Sequence, residues 1–103
     1  MYKLSFYVPE THLEKVKNAL FAKGAGQLGH YRCCVWQCLG EGQFMPGEGS
    51  KPFIGKQQRL VKVPEYKVET ICEDQYIQAV VAALKKAHPY EEPSYEVIRM
   101  EIF

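Results

Sequence analysis

The segment IQAVVAALKKAHPYEEP at residues 77–93 carries the strongest structural signal in the chain. Its large apolar side chains recur at positions i, i+3, i+4 and i+7, namely Ile77, Val80, Val81 and Leu84. This spacing predicts an amphipathic helix. Asp74 is its predicted N-cap, and Pro89 ends it because proline cannot continue a helix.

Outward from this helix, the chain alternates between strand and helix patterns. Residues 94–102 form a strand whose apolar phase slips between Val97 and Ile98, which indicates a bulge or burial on both faces. The preceding segments are a strand at 2–8, a helix from a capping box at Thr11–Glu14 to a C-cap at Gly24, a strand at 30–39, a loop at 40–56 and an extended segment at 57–72. This order predicts one domain spanning residues 1–103. The predicted fold is a ferredoxin-like βαββαβ sandwich of the α+β class, with two helices on one face of an antiparallel sheet.

Composition and charge exclude several classes of protein. Hydrophobic residues make up 47% of the 103 residues and charged residues 24%, the balance of an ordinary globular chain. The net charge of +1 provides no attraction to nucleic acid or to an anionic membrane. No apolar run reaches the length of about 18 residues that a membrane span needs. The N-terminal segment lacks the pattern of a signal peptide, so we expect a cytoplasmic location.

The chain has four cysteines, Cys33, Cys34, Cys38 and Cys72. They lack the paired spacing of a closed zinc site. In a cytoplasmic chain thiols stay reduced. We therefore expect the cysteines to be buried and to pack as small apolar side chains.

The predicted sheet has one face that no helix covers. In the second strand Cys34, Trp36 and Cys38 fall on one face. The other face carries Tyr31, Cys33, Val35 and Leu39, so both faces are apolar in pattern. A solvated face of an antiparallel sheet normally carries polar residues. We therefore expect a homo-oligomer, a dimer or a trimer, in which a second copy covers this face or joins the sheet edge.

The segment GAGQLG at residues 24–29 matches the dinucleotide-binding pattern G-x-G-x-x-G. That pattern binds phosphate only when it follows a strand and opens a helix. Here it follows a predicted helix and precedes a predicted strand. We interpret it as a helix C-cap and a tight turn.

The segment HPYEEP at residues 88–93 places an imidazole, a phenol and two carboxylates within six residues. Imidazole and carboxylate together bind divalent metals or carry protons. A metal site would need a third ligand, for which His30 or the same segment of a neighbouring subunit is a candidate. His12 is expected to be exposed in the first turn of its helix. The alternative is that HPYEEP is a helix stop and a rigid turn whose polar groups bond the nearby backbone.

The glycine-rich loop contains four large apolar residues, Phe44, Met45, Phe53 and Ile54. Loops normally run over the surface, and an apolar cluster there often marks an interface or a ligand groove. Alternatively, the loop folds back onto its own core.

Several motifs together resemble one known family. In chain order they are GAGxxGxY at 24–31 followed by Cys34, GxGxFxP at 40–46, PFIG at 52–55, Glu65 with Glu69, and AHPYEEP at 87–93. This combination resembles the YqfO-type domain of the Nif-three-like family (NGG-one-interacting factor three). In larger members this domain is an insert and a two-metal site lies in the flanking halves, so that site is not expected in this chain.

The insert is similar in fold to the CutA cation-tolerance proteins and the PII signalling proteins. CutA chains contain a similar His-Pro-Tyr-Glu-x-Pro stretch that is linked to divalent metal binding. The resemblance therefore implies His88 and Glu91 as metal ligands, and a trimer or other homo-oligomer.

We predict a non-catalytic oligomeric module that binds or senses a small ligand or a divalent cation. No cofactor beyond that candidate metal ion is indicated. The candidate ligand or interface residues are Tyr90, Glu92, Tyr31, Cys34, Phe44 and Phe53. Two alternatives remain open: a metal-assisted hydrolase in which His88 and Glu91 act as acid and base, and a protein-interaction domain that acts through the 40–55 loop.

Overall fold

A computed structural model describes residues 1–103 and contains four strands and two α-helices. In chain order they are β1 (Tyr2–Val8), α1 (Leu13–Ala22), β2 (Val35–Phe44), β3 (Val61–Cys72), α2 (Ile77–Ala87) and β4 (Tyr95–Arg99). A single 3-10 turn at Glu10–His12 precedes α1. Neither helix is long and apolar enough to cross a membrane.

The four strands form one sheet in the order β2-β3-β1-β4, and all neighbouring strands are antiparallel. The first strand is therefore central, with Leu4 opposite both Thr70 of β3 and Val97 of β4. This topology, with both helices packed on one face, confirms the predicted ferredoxin-like α+β fold.

The hydrophobic core lies between the sheet and the two helices. Alternate residues of β1, Leu4, Phe6 and Val8, are completely buried there because successive strand residues point to opposite faces. The helical residues that meet them are Val16 and Leu20 of α1 and Val80 and Leu84 of α2. Burying a side chain of this size stabilises the fold by about 1.5–3 kcal/mol.

Both predicted N-caps are wrong. Thr11 makes no capping hydrogen bond, because its Oγ1 lies 2.9 Å from Nδ1 of His12 and a 3-10 turn replaces the first helical turn. The second helix begins only at Ile77. Asp74 instead bonds the N-terminal amine and Arg99. In both cases the side chain that the local pattern predicted to cap a helix is bonded to a different group.

The predicted C-cap at Gly24 is confirmed. Gly24 has a φ of 111°, and its N–H donates to the Phe21 carbonyl at 3.1 Å. The next N–H, from Ala25, donates to the Leu20 carbonyl at 3.2 Å. These two bonds form a Schellman motif, which ends the helix on a residue that needs the left-handed conformation.

The second strand is displaced from its predicted position at 30–39. Cys33 has a φ of 58°, so the chain turns sharply before the strand begins at Val35. The strand then continues to Phe44, and residues 40–44, predicted as loop, pair with β3.

All four cysteines are free thiols, but only Cys72 is buried. Cys34 is half-buried, and Cys33 and Cys38 are exposed, so the prediction that all four are buried is wrong. Cys33 lies in the turn before β2, and Cys38 lies on the uncovered side of an edge strand.

The face of the sheet opposite the helices, here called the open face, is polar at its centre. Lys3 and Lys67 lie 3.4 and 3.5 Å from the carboxylate of Glu69. Beside them on β2, Trp36 is 58% exposed. The prediction of an apolar open face is therefore wrong at the centre, since β1 and β3 place charged side chains there. It holds only toward the two edges, at Trp36 on β2 and Ile98 on β4.

Candidate functional site

A groove of about 890 Å³ lies on the open face, between the sheet and two segments that rise beside it. Its floor consists of side chains from three strands, namely Tyr7, Trp36, Cys38, Glu65, Lys67 and Glu69. Its walls come from residues 44–54 and from residues 90–94. The volume falls within the range of about 300–1,000 Å³ that is typical of small-molecule sites.

The glycine-rich loop forms one wall because it folds back toward the turn before β4. The backbone N–H of Lys51 donates to Oε1 of Glu91 at 3.1 Å. The ring of Phe53 lies 5.3 Å from the ring of His12, edge to face. His12 is therefore half-buried, and the prediction that it is exposed is wrong.

An aromatic cluster closes the end of the groove where the two walls meet. The ring of Tyr90 lies 6.0 Å from that of Phe44 and 6.5 Å from that of Phe53. Both pairs are tilted, a geometry in which the electron-rich face of one ring meets the edge of another. One end of the groove is therefore lined by three aromatic rings.

His88 fixes the turn that supports this cluster. Its ring is buried, with 6% of the residue exposed. Nε2 lies 2.6 Å from the Tyr7 carbonyl oxygen, which can only accept, so the proton is on Nε2. Nδ1 accepts the backbone N–H of Tyr90 at 3.1 Å. Burial lowers the pKa of His88, because the charged imidazolium would lose its hydration.

The phenol of Tyr90 is tied to β3. Its hydroxyl donates to Oε2 of Glu65 at 2.9 Å. Burial, together with the neighbouring Glu65 carboxylate, raises the pKa of Tyr90, so the phenol stays protonated and remains a donor. The other oxygen of Glu65 packs over Gly42, where an added Cβ would overlap it. Gly42 is therefore needed for this position of the carboxylate.

The lining of the groove is strongly acidic. Its lining includes five carboxylates, Glu41, Glu65, Glu69, Glu91 and Glu92, and a single lysine, Lys67. Glu69 is balanced by Lys67 and by Lys3 from outside the groove. Glu65 takes part in no ion pair.

The structure brings together part of the predicted ligand set. Phe44, Phe53, Tyr90 and Glu92 all line the groove. Tyr31 is 74% exposed beside the tight turn at residue 29, and neither it nor Cys34 lines the groove. These placements describe the groove, while the binding roles of the residues stay predictions.

The predicted metal ligands do not form a site within one chain. No group of three or more His, Cys, Asp or Glu side chains has a geometry that could hold a metal ion. Both ring nitrogens of His88 are occupied, Glu91 accepts a backbone N–H, and His30 is exposed in the turn before β2. The residues of a single chain therefore do not form a metal site. A site shared between chains stays a prediction.

Four residues of the groove floor were not predicted as site residues from the sequence. Glu65 and Glu69 were named only as part of the family pattern, and Tyr7 and Lys67 were assigned no role. Alternation along β3 places residues 65, 67 and 69 on one face. That signal was present, but it does not reveal that a distant loop rises beside them.

We predict that the free energy of unfolding decreases as the pH falls below about 6.5, the ordinary pKa of histidine. The unfolded chain binds a proton at His88 near that pH, whereas the folded chain resists it. The contribution of neutral His88 to the free energy of unfolding is therefore fully present above pH 6.5. It is lost as the pH falls through the lower pKa of His88 in the folded state. Urea unfolding between pH 8 and pH 5 measures it. His88→Gln should flatten the pH dependence and His30→Gln, at an exposed position, should not. An unchanged profile in His88→Gln would contradict the assignment.

Comparison with known proteins places the chain among relatives that are longer. No family model matches it. A GTP cyclohydrolase 1 type 2 homolog from Halalkalibacterium halodurans is 48% identical over 97 residues, which are 94% of this chain and 26% of that protein. The crystal structure of a Bacillus cereus protein related to NIF3 superposes with a TM-score of 0.84 at 37% identity, covering 98% of this chain and 26% of that one. The periplasmic divalent cation tolerance protein CutA from Archaeoglobus fulgidus superposes with a TM-score of 0.70 at 16% identity, covering 100% of this chain and 87% of that one.

The chain thus spans about a quarter of the length of the first two proteins. At 16% identity the likeness to CutA concerns the fold alone, and it agrees with the sheet order described above. The resemblance to the YqfO-type domain of the Nif-three-like family is therefore confirmed, and the chain is similar over nearly its whole length to about one quarter of such a protein.

Proposed function

We propose that the chain is a non-catalytic, self-associating module that binds a small ligand in the open-face groove. The observation that supports this most directly is the groove itself, whose volume suits a small molecule and whose walls combine aromatic rings with carboxylates. The lining contains no histidine and therefore no serine–histidine or cysteine–histidine pair. Of the two imidazoles beside the groove, His88 is engaged through both nitrogens, and the ring of His12 packs edge to face on Phe53 with its Nδ1 2.9 Å from Thr11 Oγ1.

The name of the relatives refers to GTP, but this groove does not suit that ligand. A nucleoside triphosphate carries several negative charges, and five carboxylates line the groove against one lysine. We propose that any activity of the relatives toward GTP belongs to a part of those proteins that this chain does not match.

Self-association is supported by the two edges of the sheet. Both β2 and β4 lack a partner on their outer side. Large apolar side chains are exposed on both strands, with Leu39 on β2 and Ile98 on β4 each 55% exposed. An unpaired strand with exposed apolar residues is a template for pairing with another chain.

We predict that small neutral or charged fragments screened by NMR will shift the amide resonances of groove residues such as Trp36, Phe44 and Tyr90. Gly40→Leu should abolish these shifts, because a side chain at Gly40 meets no atom of the chain and would extend into the groove. Asn18→Leu, an exposed position on α1 outside the groove, is the matched control. Hits that map elsewhere, or that persist in Gly40→Leu, would refute the groove as the binding site.

We predict that the wild-type protein is a dimer or trimer at micromolar concentration in size-exclusion chromatography with light scattering. Leu39→Glu or Ile98→Glu should shift it toward the monomer, because each places a charge on a sheet edge. Leu28→Glu changes a side chain of similar exposure (56%) in a turn outside the sheet and should have no such effect. A wild-type protein that is only monomeric would remove this part of the proposal.

A divalent-cation site stays a prediction, and a second copy would have to complete it. If His88 and Glu91 contribute ligands to such a site, the wild type should bind zinc about tenfold or more tightly than the double variant His88→Ala, Glu91→Ala. Titration calorimetry of both proteins measures this. Equal affinities would rule out these two residues as ligands.

A further inference from the structure

We infer that the ligand of the open-face groove is a small organic cation with an aromatic or apolar body, such as an aryl-alkyl amine, whose charge is held by Glu65. This inference rests on the proposed binding function and specifies its ligand class. The names of the similar proteins mention no organic cation as a ligand.

Glu65 has an unused capacity for a cation. Of the five carboxylates in the lining, Glu69 already pairs with Lys3 and Lys67, Glu91 accepts the N–H of Lys51, and Glu41 and Glu92 are exposed to solvent. Glu65 lies half-buried on the groove floor with no lysine or arginine in ion-pair distance. A carboxylate in this position binds a cation more strongly than an exposed one, since less water screens the pair.

The Glu65 carboxylate is held in place before a ligand arrives. Tyr90 donates to Oε2 at 2.9 Å, and Oε1 receives no hydrogen bond from the chain. Because the phenol fixes one oxygen, the other can accept an ammonium or guanidinium group with little further loss of side-chain freedom.

The groove around this carboxylate is aromatic and large enough for an organic ligand. Tyr90 donates to this carboxylate, and its ring lies 6.0 and 6.5 Å from the rings of Phe44 and Phe53, which line the same groove. Aromatic rings attract cations and stack on flat ligands. A bare metal ion would leave most of the 890 Å³ unfilled, and no three-ligand group is present to hold it. A ligand with a charged head and an apolar body satisfies both the carboxylate and the rings.

The test uses three compounds with the same body and different charge: phenethylamine, 2-phenylethanol and 3-phenylpropionate. Trp36, the only tryptophan of the chain, lines the groove, so its fluorescence reports occupancy directly. We expect phenethylamine to bind about tenfold or more tightly than 2-phenylethanol, and 3-phenylpropionate to bind most weakly. Amide shifts of groove residues by NMR confirm the location.

Two pairs of variants locate the charge that is responsible. Glu65→Gln keeps an acceptor for Tyr90 and removes the charge, so it should weaken phenethylamine about tenfold and leave 2-phenylethanol unchanged. Glu101→Gln, an exposed position outside the groove, is its control. Gly42→Ala keeps the charge but displaces the carboxylate, and should also weaken phenethylamine. Asn18→Ala, at an exposed position on α1 outside the groove, should not.

Equal binding of the three compounds, or full phenethylamine affinity in both Glu65→Gln and Gly42→Ala, would overturn the ligand class and leave the groove as a binding site. The proposed ligand class would also be overturned if none of the three compounds bound. It would likewise be overturned if a second copy of the chain filled the groove. The fragment screen then decides separately whether the groove binds other small molecules, so the two proposals fail by different results.

Discussion

The imidazole of His88 links the central strand to the turn before β4. It donates to the Tyr7 carbonyl and accepts the N–H of Tyr90, so a single buried side chain fixes the position of one groove wall relative to the floor. Tyr90 is then directed toward Glu65, and the glycine-rich loop packs against Tyr90 and Glu91. Buried polar bonds of this kind are directional, and leaving one partner unpaired costs more than the bond itself contributes. The shape of the groove therefore depends on the neutral form of His88.

A second constraint is the unequal length of the strands. The last residue of β1, Val8, pairs with Tyr66, whereas β3 begins at Val61 and β2 ends opposite it. The β2–β3 hairpin therefore extends past the end of the central strand. Because the hairpin extends past the end of β1, the loop at its tip can fold back over the open face. Gly40 and Gly42 have no side chains to fill the groove between Trp36 and Phe44, so space remains for a ligand.

The accuracy of the sequence analysis varied with the range of the interactions involved. The apolar spacing from Ile77 to Leu84 and the alternation of β1 depend on periodicity within one segment, and both elements form where predicted. The caps at Thr11 and Asp74 were wrong because distant or adjacent groups compete for the same side chains. In the groove, the aromatic residues of the loop and of HPYEEP were visible as anomalies in the sequence. Glu65 gained its role only when Tyr90, 25 residues away, was placed beside it.

The amino-acid sequence by itself determined the order of the elements, the core-facing side of α2, the helix end at Gly24 and the family resemblance. These follow from local periodicity, backbone preference and motif order, which are properties of neighbouring residues. Only the tertiary structure decided that the open face is charged at its centre, that His88 is a buried structural link, and that a loop and a turn enclose an acidic aromatic groove. Those features arise from contacts between segments 25 to 81 residues apart, and the pairing of such segments is set by the packing of the whole sheet rather than by any one stretch of chain.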